Sequence, residues 1–156
     1  MGVNIRTKGA NGERELAQKL NELLYRVCQN NGWDFNKFSE YLVQRNQNQS
    51  AVGGCDLVNT WGLAIEVKRH ETLAVNTWWQ QCKASALRLN REPVLIYRQS
   101  RRPWQVVMQG RLQLPDGGFC ESVVTISFED FTRYYEEIVA QQIRMGINAD
   151  GGELCL

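Results

Sequence analysis

Histidine is almost missing from this chain of 156 residues: His70 stands alone. The five cysteines are widely spaced and include no Cys-X-X-Cys pair. Together these gaps exclude a structural zinc site by ligand count and spacing. An odd number of scattered cysteines also argues for free thiols in a reducing compartment rather than a disulfide framework. No apolar run approaches the roughly 20 residues that span a membrane, and the first residues lack an apolar signal segment. The expectation is a soluble, cytoplasmic protein with no membrane contact. Internal repeats, linkers and low-complexity blocks are absent as well. The length suits one domain with a real core, read as residues 1–145, followed by a flexible tail over 146–156.

A strong net charge is lacking too, at +1, but the charges are unevenly placed. Residues 1–111 hold 16 Lys/Arg and 9 Asp/Glu, for +7, whereas residues 112–156 hold 2 and 8, for −6. That asymmetry suits a cationic face toward nucleic acid and an acidic face away from it. Solvated charge on separate elements is the plainer alternative.

Hydrophobic periodicity gives an α/β order. A helix is expected over residues 11–29, where Leu16, Leu20, Leu23, Leu24 and Val27 recur at helical spacing. Glu13 shares that apolar face, in the expected first turn. A carboxylate there either complements the helix dipole or, facing a sheet, approaches a bound cation. Residues 30–50 are rich in Asn and Gln, with a first strand expected at about 40–45 and a polar loop from Asn46 to Ser50. Such amides and hydroxyls suit phosphate and sugar contacts, and Arg45 suits a phosphate clamp.

A second helix is expected at about 76–89, capped by Asn76 or Thr77. Trp78, Trp79, Cys82, Ala86 and Leu89 form its apolar side. The tryptophan pair reads as core or dimer-interface packing ahead of base stacking. Gln80 lies on a face with Ala84 and Leu87, and Gln81 is its alternative as a site residue. Strands follow at 93–98 and 105–109, joined by Ser100-Arg101-Arg102-Pro103, a basic turn that is a phosphate contact or a solvated tip. After a strand at 121–126, Ser127-Phe128-Glu129-Asp130 opens a helix to about 144. Its stripe is Phe131, Tyr134, Tyr135, Ile138 and Ile143.

The chemistry is concentrated in Gly53-Gly54-Cys55-Asp56 and Ile65-Glu66-Val67-Lys68. The alternating run Leu63–Arg69 reads as a half-buried strand, with Glu66 and Lys68 on one face and Ile65 and Val67 on the other. A turn at Trp61-Gly62 brings Asp56 beside Glu66. Two carboxylates offer hard oxygen donors to Mg²⁺ or Mn²⁺, and an ammonium beside them orients water or binds phosphate. Three such residues alone are more often salt-bridge partners on an exposed strand.

The surrounding residues resemble the PD-(D/E)xK nuclease superfamily and, within it, the archaeal-type Holliday junction resolvases. The likeness runs in order through Lys8-Gly9-Ala10-Asn11-Gly12-Glu13-Arg14-Glu15-Leu16, Arg45, Ser50, Gly53-Gly54 and Asp56-Leu57-Val58. It continues through Ile65-Glu66-Val67-Lys68, the Gln80/Gln81 helix and Pro93–Tyr97, spanning roughly residues 6–100. Cys55 stands where the superfamily name has Pro, and residues 30–50 are longer than the resolvase pattern. The resemblance implies a restriction-endonuclease-like core, a central mixed β-sheet flanked by helices.

It also implies Mg²⁺-dependent hydrolysis of phosphodiester bonds in branched DNA by a homodimer, with Mn²⁺ substituting. The implied catalytic residues are Glu13, Asp56, Glu66, Lys68 and Gln80. The implied metal ligands are Asp56, Glu66, the Val67 carbonyl and Glu13. Lys8, Arg14, Arg45, Ser50, Arg69, Arg101 and Arg102 would contact DNA. Two other readings remain: another nuclease of the same fold, acting in repair, restriction or end processing, and a DNA-binding module without turnover.

Overall fold

Leu63–Arg69 starts with three buried residues, Leu63, Ala64 and Ile65, because helices cover both faces there, and alternates in burial only from Ile65 to Lys68. The computed structural model describes residues 5–48 and 54–155. Within them the order is α1 (Ile5–Asn31), a 3-10 helix (Phe35–Tyr41), β1 (Gln44–Arg45), β2 (Leu57–Val58), β3 (Leu63–Arg69) and α2 (Val75–Leu89). Then come β4 (Glu92–Arg98), β5 (Gln105–Gln113), β6 (Phe119–Ser127) and α3 (Phe128–Arg144). Four strands form one sheet in the order β3-β4-β5-β6, and β1 pairs with β2 in a separate two-stranded ladder. β3 and β4 are parallel, joined through α2, while β4–β5 and β5–β6 are antiparallel. The expected architecture, a mixed sheet flanked by helices, is the one adopted.

Strand alternation divides the core. Ile65, Val67, Val94, Ile96 and Val106 face the apolar stripes of α1 and α3, including Leu16, Leu20, Leu24, Phe131 and Tyr135. Leu95 and Val107 face the other way, onto Trp78, Trp79 and Cys82 of α2. Ala64 completes that second face against Cys55 and Ala86. The paired tryptophans are thus core residues, as expected. Ser127 caps α3, accepting a hydrogen bond from the Asp130 amide at 3.0 Å.

Several boundaries differ from expectation. α1 begins at Ile5 rather than at residue 11. Its first turns carry no apolar stripe, so periodicity does not mark them, and the bond from Lys8 to Glu71 at 2.8 Å ties them down instead. Glu13 therefore lies well inside the helix, beyond the reach of the terminal dipole. Of the expected strand at 40–45, Glu40 and Tyr41 end the 3-10 helix and only Gln44 and Arg45 form a strand. Neither Asn76 nor Thr77 caps α2, whose N-cap position is Ala74 without a side-chain bond.

β5 and β6 run on to Gln113 and back from Phe119, further than their apolar alternation indicates. Leu89 and Tyr134, assigned to apolar stripes, are exposed, and Val139 and Ala140 are buried on α3 instead. Past Gly146 the chain folds back rather than fraying. Ile147 bridges Glu153, the Trp61 amide donates to the Ala149 carbonyl at 3.1 Å, and Ala149 is fully buried.

Candidate active site

Among the described residues β3 has a neighbouring strand on one side only, so the backbone groups on its other side need partners from elsewhere. Asp56 supplies one with its main chain and one with its side chain. Its amide donates to the Ile65 carbonyl at 3.1 Å, and its Oδ2 accepts from the Val67 amide at 2.6 Å. β2 pairs with β1 rather than forming a ladder with β3, so Asp56 meets the strand at the point where that ladder begins. Asn46 holds it from behind: its amide donates to the Asp56 carbonyl at 2.8 Å, and its Nδ2 to the Cys55 carbonyl at 2.9 Å. A side chain at the Gly54 position would press on that amide, at 2.9 Å from Nδ2. Sequence reading assigned Asn46 only to a polar loop, because no spacing rule marks a residue that works through a backbone contact.

Glu66 and Lys68 project from the same face of β3, and Lys68 Nζ donates to Glu66 Oε1 at 2.7 Å. From α1, Glu13 reaches the group with its Oε2 accepting from Arg45 Nε. Glu13 and Asp56 are both buried, each 7% exposed. Burial, then the Glu66 charge, push the Asp56 carboxyl up to about 7, with Glu13 adding to the rise. The Val67 amide and Lys68 act in the opposite direction without cancelling it. Burial also acts against the Lys68 ammonium. Its hydrogen bond to Glu66 and the charges of Glu66, Asp56 and Glu13 outweigh that penalty and raise its pKa. Lys68 is therefore a protonated cation at neutral pH, suited to holding an anion rather than abstracting a proton.

Five predicted residues thus converge: Glu13, Arg45, Asp56, Glu66 and Lys68. Among the described residues no three Asp, Glu, His or Cys side chains already stand together as a ready metal cage. The donor set nevertheless fits a small hard cation, which takes one or two carboxylates and keeps its waters. Lys68 pairs with Glu66 and Arg45 with Glu13, while burial and the Glu66 charge oppose ionisation of Asp56. The Val67 amide is turned to the open edge by its bond to Asp56, so by strand geometry the Val67 carbonyl faces the same edge.

The remaining predicted residues are not drawn in. Gln80 and Gln81 are exposed on α2, with no hydrogen bond to the cluster. Arg14 is exposed and donates to Asn11 at 3.0 Å. Lys8 pairs with Glu71, whose carboxylate also accepts from the Ser100 hydroxyl, so α1 is tied to the β4–β5 turn. Arg101 and Arg102 project from that turn into solvent. Arg69 points to the α1 side of the sheet, against Gly12, and its Nε is buried without a hydrogen bond. Ser50 and Gly53 lie outside the described residues.

The family model described as "Phage putative PDDEXK endonuclease" matches residues 4–142. The chain belongs to that family, and the PD-(D/E)xK resemblance of its motifs is thereby established. Among solved structures it is similar to Hjc of Archaeoglobus fulgidus, a Holliday junction resolvase from an archaeal hyperthermophile. The identity is 16%, the TM-score 0.44, and the match covers 81% of this chain and 96% of that one. No curated protein matches the chain. No helix among the described residues is long and apolar enough to cross a membrane.

Proposed function

We propose that this chain is a divalent-metal-dependent DNA endonuclease, that its site is the Asp56–Glu66–Lys68 edge of β3, and that it acts on branched DNA as a homodimer. One observation carries the reading. A buried carboxylate with its proton affinity raised stands at an open strand edge, beside a second carboxylate and a protonated lysine, in a chain of the PDDEXK endonuclease family. A purely structural role would more readily be filled by an apolar residue, since burying a carboxylate is costly.

Asp56 and Glu66 would hold Mg²⁺, or Mn²⁺ in its place, with the Val67 carbonyl as a third donor and Glu13 close enough to add to the field. The cation would supply Lewis acidity, acidifying a water and offsetting charge on the phosphate oxygens. The chain's own groups do the rest. Asp56 is fixed in orientation by the Val67 amide, so its free rotation is already removed before substrate arrives. Lys68, held by Glu66 on the strand face, would stabilise the extra negative charge of the pentavalent transition state. Arg45 holds Glu13 in position, and becomes a phosphate contact if DNA displaces that carboxylate.

The choice of branched DNA rests on the ordered resemblance over residues 6–100. A two-fold dimer would present two such edges for paired nicks. The test is cleavage of a synthetic four-way junction beside linear duplex, flap and single-stranded DNA of matching sequence. Paired symmetric nicks confined to the junction, lost in EDTA and in Asp56→Asn or Lys68→Ala, are the expected outcome. Cutting of linear duplex at an equal rate removes the junction assignment, and Mg²⁺-dependent cutting by either variant removes the site.

A further inference from the structure

β3 and β4 are the one parallel pair in the four-stranded sheet, and ligands of α/β sheets gather beyond the carboxyl ends of parallel strands. Beyond the end of β4 lies a cleft of about 300 Å³, bordered by Leu73, Tyr97, Arg102, Pro103 and Gln105, with Arg98 and Gln99 completing it. We propose that this cleft receives a single unstacked nucleotide of the DNA strand being cut. The proposal rests on the nuclease reading of the neighbouring site and adds a substrate feature to it: a nucleotide that can leave the stack next to the scissile phosphate, as at a branch point or beside an unpaired base.

Position is the first argument. Tyr97 is the register partner of Lys68 on the adjacent strand, about 4.8 Å away across the ladder. Both side chains emerge on the α2 face, so the cleft starts one strand away from the candidate catalytic lysine. Chemistry is the second. Tyr97 and Pro103 offer flat surfaces and Leu73, 42% exposed, an apolar rim, as a nucleobase requires. The Tyr97 ring is backed by Trp78 at 6.2 Å between centroids, and Trp78 by His70 at 5.3 Å, so the stacking wall is already fixed.

Charge is the third. Among the described residues no carboxylate side chain borders the cleft. Arg98 is committed to Glu15 at 2.6 Å and lies over the Trp104 ring at 4.3 Å. The Arg102 side chain is exposed and makes no ion pair among the described residues, leaving a guanidinium for phosphate at the mouth. Gln99 is held by its Nε2 on the Glu71 carbonyl at 2.8 Å, which fixes the turn that carries Arg102. Size is the fourth. The volume is at the lower end of the roughly 300–1,000 Å³ of small-ligand sites, room for one nucleotide and too little for a base pair.

The experiment uses binding, so that it stands apart from cleavage. Asp56→Asn protein in Ca²⁺ is titrated against two labelled DNAs, an intact linear duplex and the same duplex interrupted by one unpaired thymidine, read by anisotropy. In that background Arg102→Ala and Tyr97→Leu are compared with the parent; Arg102 is exposed at a turn, so its removal leaves the fold intact. A stacked base typically contributes about 1–3 kcal/mol, or about 5- to 150-fold. The expected result is at least fivefold weaker binding of the interrupted DNA by each variant, with duplex binding changed less than twofold. Equal losses on both DNAs would reduce Arg102 to a general phosphate contact and overturn the pocket, as would no loss on either. Cleavage of the junction by the parent enzyme decides the nuclease reading independently of these titrations.

Discussion

Asp56 is costly to the chain that carries it. In an unfolded chain its carboxyl releases a proton near 4. Folded and free of metal it does so at about 7, because burial and the Glu66 charge oppose ionisation. Between those values the folded chain keeps a proton that the unfolded chain has lost. The associated stability is therefore complete below pH 4 and lost as pH rises through 7. Asp56→Asn has no such slope, and its side-chain oxygen can still accept from the Val67 amide. In EDTA the variant is expected to be more stable than the parent at pH 8, by on the order of a few kcal/mol, with the gap narrowing to about 1.4 kcal/mol at pH 5 and closing only below pH 4. Urea unfolding at both pH values measures this. Parallel behaviour of the two proteins across that range would show that Asp56 ionises without penalty.

At the scale of elements, the strand that carries the site was legible and the segments that aim it were less so. Ile65-Glu66-Val67-Lys68 has residue types that fix a strand and two faces, and the structure agrees residue for residue. Asp56 beside Glu66 was legible from the turn at Trp61-Gly62. What holds Asp56 there, the Val67 amide and Asn46, was not, because side-chain bonds to backbone leave no period in a sequence. The Glu13–Arg45 pair joins residues 32 apart, and neither residue names the other. α1 hid its first turns for a related reason: Thr7 to Gly12 offer no apolar stripe, and two glycines there argue against helix.

Those glycines differ from the glycine of the turn in what they tolerate. A Cβ at Gly9 meets nothing within 4 Å, in the interior of α1. Gly62 has φ +82° and stands where a Cβ would come 3.0 Å from Gln142 Nε2, the group that donates to the Trp61 carbonyl at 2.9 Å. Gly9→Ala is expected to stabilise by about 0.5–1 kcal/mol, and Gly62→Ala to destabilise by about 1 kcal/mol or more. Midpoints of thermal unfolding report both. A loss of stability in Gly9→Ala would mean that α1 does not extend through that residue in solution.

Over the whole molecule, a net charge of +1 conceals +7 over residues 1–111 and −6 over residues 112–156. The fold gives that division spatial meaning. The basic stretch supplies α1, β3, α2, β4 and the Arg101-Arg102 turn, the elements around the candidate site and its cleft. The acidic stretch supplies the end of β5, β6 and α3, with Glu129, Asp130, Glu136 and Glu137 on α3, which packs against α1 and the sheet. DNA binding should then depend on salt through the first group only. In the Asp56→Asn protein, the slope of log K against log salt is expected to become shallower by about 1 for Arg101→Ala and again for Arg102→Ala. Glu137→Gln, an exposed change on α3, should leave the slope alone. Titrations of four-way junction DNA between about 50 and 200 mM salt resolve these slopes. If Glu137→Gln steepened the dependence as much as either arginine lowered it, phosphate would be sensing the total charge of the protein. The cationic face would then be a feature of the sequence and not of the binding surface.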